Sequence, residues 1–493
     1  MREQVRPPGG WPDQPVIVEI NTWVWLAELS QRHDRPIDLA SVPAAAWEAA
    51  CPWGVDAVWL MGVWERSEVG AAIAREHLGV RADVAAALPD ATDADIVGSP
   101  YCIRSYTVDP RLGGDQGLAA ARAALAAREI RLVVDYVPNH IARDHRWVKE
   151  HPEFLVLGDR EDLRGDPESF AVVQERVVAL GRDPHFPAWT DVVQLNAFAR
   201  RLRDATAAEL ALIAQQADGV RCDMAMLMLN EVFARTWGER VGPPPPEDFW
   251  PGVLADVRNF APDVLFIAEA YWGLEAVLLE QGFDYCYDKT LHDLLTRLDP
   301  TGLRAHVAAE VAPQRRTLRF VENHDEPRVA ASVAPEALRA VAVAVTTLPG
   351  ALLLYEGQFE GRRVRPPVQL GRRPDEPADS QLRIFWEQLL ETVAPARRGT
   401  WCALTVREWT ADDSSGSIVA WHWEHADGEL TVVVNLGPDQ AQGQVQLDAA
   451  HPEGAVVYTD VLTGQEYVHD AQTLATYGLH VELPPWGFHL LRT

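Results

Sequence analysis

Four acidic residues stand at the C-terminal ends of short apolar runs, each in polar company. Asp223 follows Val220-Arg221-Cys222, and Glu269 follows Phe266-Ile267-Ala268. Asp325 closes Glu322-Asn323-His324-Asp325, and Asp135 opens Asp135-Tyr136-Val137-Pro138-Asn139-His140. One such acid alone is commonly a helix N-cap or a loop ion pair. Four together call for more, because a carboxylate taken out of water without a partner is very costly. Arg221 and Asp223 are two residues apart and share one face of a strand. An arginine beside an aspartate favours its charged form, and an ionised, positioned aspartate is what a nucleophile or charge stabiliser requires. The apolar approach to Glu269 raises its pKa and lets it hold a proton near neutrality. One acid ionised and one protonated is the pair that cleaves a glycosidic bond. His140 and His324 are candidates to donate hydrogen bonds to sugar hydroxyls, with a structural role as the alternative for each. Cys222 alternates to the opposite face and reads as a small core residue.

These acids need strands to carry them. Eight apolar runs recur along the chain, at residues 16–20, 55–63, 130–137, 218–225, 264–270, 283–288, 317–323 and 351–357. They are nearly continuous in apolar residues, as strands covered on both faces are. Helical patterns lie between several of them, including Gly117 to Arg128 before the third run and Pro335 to Thr347 before the eighth. This alternation predicts an α/β fold, a (β/α)₈ TIM barrel, with the active site at the C-terminal ends of the strands. Periodicity alone is met equally by an open doubly wound sheet. Two stretches break the rhythm. Residues 140–218 read as an insert after the third strand, and Pro243 to Pro246 read as a rigid loop. From about residue 395 short alternating segments separated by Gly, Asp and Pro predict a C-terminal antiparallel β-sandwich. The expected division is therefore 1–139 with 219–394 as the barrel, 140–218 as the insert and 395–493 as the sandwich.

Composition removes several function classes. The 493 residues carry 44 Lys+Arg against 72 Asp+Glu, a net charge of −28. Such a chain repels polyphosphates and anionic membrane surfaces, so neither nucleic acid nor membrane is an expected partner. The five cysteines form no CxxC pair. A sparse, odd set fits a reducing compartment. The stretch MREQVRPPGGWPDQP has no apolar core of a signal peptide. The longest apolar stretch, Val341 to Tyr355, is broken by Thr346, Thr347, Pro349 and Gly350 and is too short to span a bilayer. A cytoplasmic location is the expectation; the oligomeric state is open.

The order DYVPNH, GVRCDMA, FIAEA, FVENHD resembles the four short blocks of the α-amylase superfamily, glycoside hydrolase family 13. GVDAVWLMGV, WTDVVQLN and SPYCIRSYTVDPRLG resemble further blocks of that family, and the resemblance runs over roughly residues 16 to 493. The family implies a retaining, two-step mechanism. Asp223 matches its nucleophile, Glu269 its acid/base and Asp325 the third acid that stabilises the transition state. Arg221 matches the arginine that orients the nucleophile. Asp135, His140 and His324 match residues around the sugar at the cleavage point, and Tyr101 matches the tyrosine that stacks under it. There are departures. Met226 and Leu227 replace a Lys-His pair common in α-amylases, Cys102 and Ser105 replace aspartates, and Gly62 stands where a proline is common. Asn139 matches a position that ligates calcium in some members and is structural in others; the structural role is favoured here, and no cofactor is expected, with calcium the less favoured alternative.

The resemblance implies hydrolysis of α-glucosidic bonds in small or oligomeric α-glucosides or α-glucans through a covalent glycosyl-enzyme. Transglucosylation is the alternative, since it differs only in what resolves that intermediate, and the apolar Met226-Leu227 stretch would favour it by keeping water away. A non-catalytic sugar-binding relative is the alternative from another class; the presence of all three acids speaks against it. Of the 18 tryptophans, Trp64 is placed to line the mouth, and Trp401, Trp421, Trp423 and Trp486 belong to the sandwich, most as core. A blind pocket at Asp223 is expected rather than an open cleft.

Overall fold

The computed structural model describes residues 8–309, 311–409, 414–426, 428–447 and 454–493. The first seven residues of the N-terminal stretch discussed above lie outside that set. Each of the eight apolar runs contains a strand: β1 (Val16–Asn21), β2 (Ala57–Met61), β3 (Arg131–Tyr136), β4 (Gly219–Cys222), β5 (Leu265–Ala268), β6 (Tyr285–Tyr287), β7 (Thr317–Arg319) and β8 (Ala351–Tyr355). Each pairs in parallel with the next, and β8 returns to β1, which closes a barrel. The open-sheet alternative is thereby excluded.

The runs are apolar throughout because successive side chains enter two different cores. Ile17, Ala57, Trp59, Val133, Leu265, Ile267, Tyr287, Leu318 and Leu353 fill the barrel. Their neighbours Val18, Val58, Val134, Cys222, Phe266 and Leu352 pack outward on the helices. Arg221 and Asp223 are therefore inward while Cys222 is outward, as the period of two requires.

The insert is shorter than its expected range. A four-stranded antiparallel sheet (His140–Ala142, Trp189–Gln194, Arg176–Gly181, Phe170–Val173) encloses a small core with Ile141, Trp147, Val178 and Val193. The helix Arg200–Gln216 that follows packs on helix Phe249–Phe260, and it leads directly into β4. It is a helix of the barrel, and its polar face had hidden it among the Asp- and Arg-rich residues of 140–218. A two-stranded ribbon after β2, Trp64–Arg66 with Ile103–Val108, gives no clear alternating signal in the sequence.

The C-terminal region forms a six-stranded and a three-stranded antiparallel sheet. Ile418, Val433, Tyr458, Val481 and Leu483 share one core between them. Trp421 and Trp423 face the barrel instead. Their indole N–H groups donate to the hydroxyl and the carbonyl of Thr347, at 3.1 and 2.7 Å. Helix Leu338–Thr347 is accordingly buried from Ala340 to Thr347, which explains the apolar stretch from 341 to 355: a helix and a strand, both covered on all sides. Among the described residues no helix is long and apolar enough to cross a membrane.

Candidate active site

The mouth of the barrel is organised around one guanidinium. Arg221 is fully buried, and its Nη1 meets Asp223 at 2.7 Å and Asp135 at 3.4 Å. Its Nη2 meets Glu269 at 2.8 Å. The rings of Trp59, Tyr101 and Tyr287 surround it at 5.1, 5.4 and 5.7 Å, within cation–π reach. Strands β3, β4 and β5 each end on this group, which is why three acids distant in sequence converge.

Asp223 is 6 % exposed. Burial pushes its pKa up, and Arg221 opposes the rise without cancelling it. The arginine thus does not act alone on Asp223 as the spacing implied. Glu269, 2 % exposed, is pushed up to about 7, by burial first, with Arg221 opposing and the charges of Asp223 and Asp325 adding to the rise. Its Oε2 accepts the Met224 N–H at 2.6 Å, and its Oε1 accepts the Tyr271 hydroxyl at 2.8 Å. Asp325 differs from both, with its side chain 45 % exposed and its carboxylate 2.9 Å from His324 Nε2. What burial it has would raise its pKa, but His324 holds it down at about 2.

The remaining expected residues fall into two groups. Tyr101 lies in the mouth, its ring stacked on His324 at 5.3 Å and its hydroxyl 2.6 Å from Nε2 of that ring. His140 is buried, and burial lowers its pKa to about 4, so it is neutral. Its Nδ1 lies 3.3 Å from the Asn139 amide nitrogen, and the ring also hydrogen-bonds the Tyr101 backbone. His324 and Asp135 have other work. His324 Nδ1 meets Glu19 at 2.5 Å while Nε2 meets Asp325. Burial alone would lower its pKa, but the two carboxylates raise it well above the usual range. It is an imidazolium with both N–H groups engaged, so it orients Asp325 rather than a sugar. Asp135 accepts the Trp59 indole N–H at 3.1 Å and the Gly62 N–H at 3.2 Å, and supports Arg221 from below.

Two expectations are corrected. Met226 and Leu227 lie in a buried turn, Ala225–Met228, within the outer core, and do not face the mouth. Trp64 is core as well, its indole N–H bonded to the Asp135 carbonyl at 2.7 Å. Asn139 is held locally, its side-chain oxygen accepting the Gln194 amide at 2.8 Å. Among the described residues no group of three or more His, Cys, Asp or Glu could hold a metal ion. Two site residues escaped the sequence reading. Glu19 was legible as the lone acid at an inward position of VIVEI, and Tyr271 carried no signal beyond lying two residues after Glu269.

No protein-family model matches the chain. It is 27 % identical over 327 residues to an α-amylase, MalA, of Haloarcula japonica, covering 63 % of this chain and 43 % of that protein. It is 26 % identical over 206 residues to the α-1,4-glucan:maltose-1-phosphate maltosyltransferase of Mycolicibacterium smegmatis, covering 38 % of this chain and 24 % of that one. The chain thus spans less than half the length of these curated relatives. Among solved structures, a maltogenic α-amylase, AmyB, of Thermotoga neapolitana superposes with a TM-score of 0.68 at 17 % identity over 98 % of this chain and 99 % of its own. The α-amylase of Geobacillus thermoleovorans, complexed with acarbose, gives 0.67 at 14 % over 98 % and 99 %; both share the fold. With four blocks in order on a closed barrel, the chain resembles the α-amylase superfamily, and its similarity to these relatives supports that relation.

Proposed function

We propose that this protein is a retaining glycoside hydrolase that cleaves α-glucosidic bonds in small or oligomeric α-glucosides. The observation that carries the reading is the single guanidinium of Arg221 shared by Asp223 and Glu269, which keeps two carboxyl groups close together, as a double-displacement mechanism needs. Asp223 attacks the anomeric carbon while Glu269 protonates the departing oxygen. Water, deprotonated by Glu269, then releases the sugar. Asp325, ionised at any ordinary pH, stabilises the cationic transition state. Tyr101 gives the ring an aromatic platform.

Hydrolysis is preferred to transfer because the apolar Met226-Leu227 stretch, the argument for excluding water, lies in the core. Glucose as the sole product from maltose supports hydrolysis; longer products on thin-layer chromatography would replace it with transfer. No calcium is required in this reading, Asn139 being engaged by Gln194. A cytoplasmic location is part of the proposal, and fractionation of cells producing the protein tests it. For the activity, Asp223→Ala is expected to reduce turnover of α-glucosides by about a thousandfold or more. Unchanged turnover would remove the assignment.

A further inference from the structure

The donors around Glu269 divide its two oxygens. Oε2 accepts a backbone N–H from Met224 at 2.6 Å and faces Arg221 Nη2 at 2.8 Å. Both groups can only donate. A proton on Oε2 would face one fixed donor, the Met224 N–H, and the nearby guanidinium charge, whose Nη2 makes no hydrogen bond among the described residues. Among the described residues the hydrogen-bond partner of Oε1 is the Tyr271 hydroxyl, at 2.8 Å, and a hydroxyl can donate or accept by rotating. From this geometry we propose that the proton Glu269 delivers resides on Oε1 and that Tyr271 is a positioning residue that holds this oxygen toward the substrate.

This rests on the reading of Glu269 as acid/base and deepens it. The backbone supports it. Trp272 and Gly273 follow with φ of 63° and 74°, a region disfavoured for any residue but glycine. The chain therefore turns back directly after Tyr271. The turn is held from outside: the Trp272 ring, 40 % exposed, meets His185 of the insert edge-on at 4.8 Å. In the first step the Oε1–H bond breaks, the leaving-group oxygen takes the proton, and its bond to the anomeric carbon breaks as Asp223 bonds to that carbon. The electron pair left on Oε1 makes a carboxylate that accepts the Tyr271 hydroxyl. In the second step Oε1 takes a proton from water as its oxygen displaces Asp223.

The charged or titratable groups facing Glu269 are Arg221 and Asp223 at β4, Asp325 beyond β7, Tyr287 on β6 and Tyr271 itself. Tyr271→Phe removes only the hydroxyl. Losing a donor to the carboxylate should move the alkaline limb of kcat/KM upward by about one pH unit. On maltose, kcat/KM should fall about tenfold. On 2,4-dinitrophenyl α-glucoside, whose leaving group needs no proton, it should change less than about twofold. An unmoved limb, or equal losses on both substrates, would overturn the proposal. A wild-type protein that turns over neither substrate would instead sink the functional reading. In that case a ¹³C-NMR titration of the Glu269 carboxyl, assigned with Glu269→Gln, still decides: an unchanged pKa in Tyr271→Phe overturns the positioning role. Thermal melting of the variant within a few degrees of wild type shows that the fold is intact.

Discussion

Glu269 and Asp325 titrate far apart, and pH dependence separates their roles. With Glu269 near 7, kcat/KM on α-glucosides should fall about tenfold per pH unit above that value as the acid loses its proton. Asp325, near 2, stays ionised across the measurable range and should set no acid limb above pH 3. A pH profile between 4 and 9 checks both. The same shift has a stability consequence. A carboxyl whose folded-state pKa is raised favours folding most below its unfolded value and loses that contribution as pH rises through the folded one. Glu269→Gln should therefore gain stability relative to wild type between pH 4.5 and about 7, by a few kcal/mol at most, and stay level above. Melting temperatures at pH 4 and 8 test this; an equal difference at both would contradict it. At this scale the sequence revealed the acids and Arg221, because a charged residue in an apolar run is conspicuous. It did not reveal that His324 is held between Glu19 and Asp325, since Glu19 lies 305 positions away.

The strand ends are positioned by elements with little chemistry of their own. Gly62 ends the β2 turn with φ of 78°, and its N–H holds Asp135. A Cβ there would lie 2.8 Å from Pro100 Cβ and 3.0 Å from Arg66 Nη2. Gly62→Ala should cost about 1–3 kcal/mol, from left-handed strain and the clash, and should lower kcat by displacing Asp135 beneath Arg221. Circular-dichroism melts with kcat on one substrate measure the two effects. The eight strands were legible as apolar runs flanked by polar ends. Helix Arg200–Gln216 was not, because its exposed face is as polar as a loop.

The whole molecule joins the sandwich to the barrel through Trp421 and Trp423, both buried against Thr347. Trp423→Ala should cost about 3–5 kcal/mol and lower the midpoint of urea unfolding. Expression of residues 8–394 alone would expose the face of helix Leu338–Thr347 that this contact covers, and the fragment is expected to aggregate.

The sequence by itself determined the eight strands, the order of the blocks and the inward placement of Arg221 and Asp223, because strand periodicity and the cost of buried charge are local rules, while closure of the barrel rests on β8 pairing with β1 across the whole chain. Only the tertiary structure decided that Met226, Leu227 and Trp64 are core, that His324 serves Asp325, and that Tyr271 reaches Glu269. Each of these depends on which distant side chain stands opposite, and no spacing along the chain encodes that.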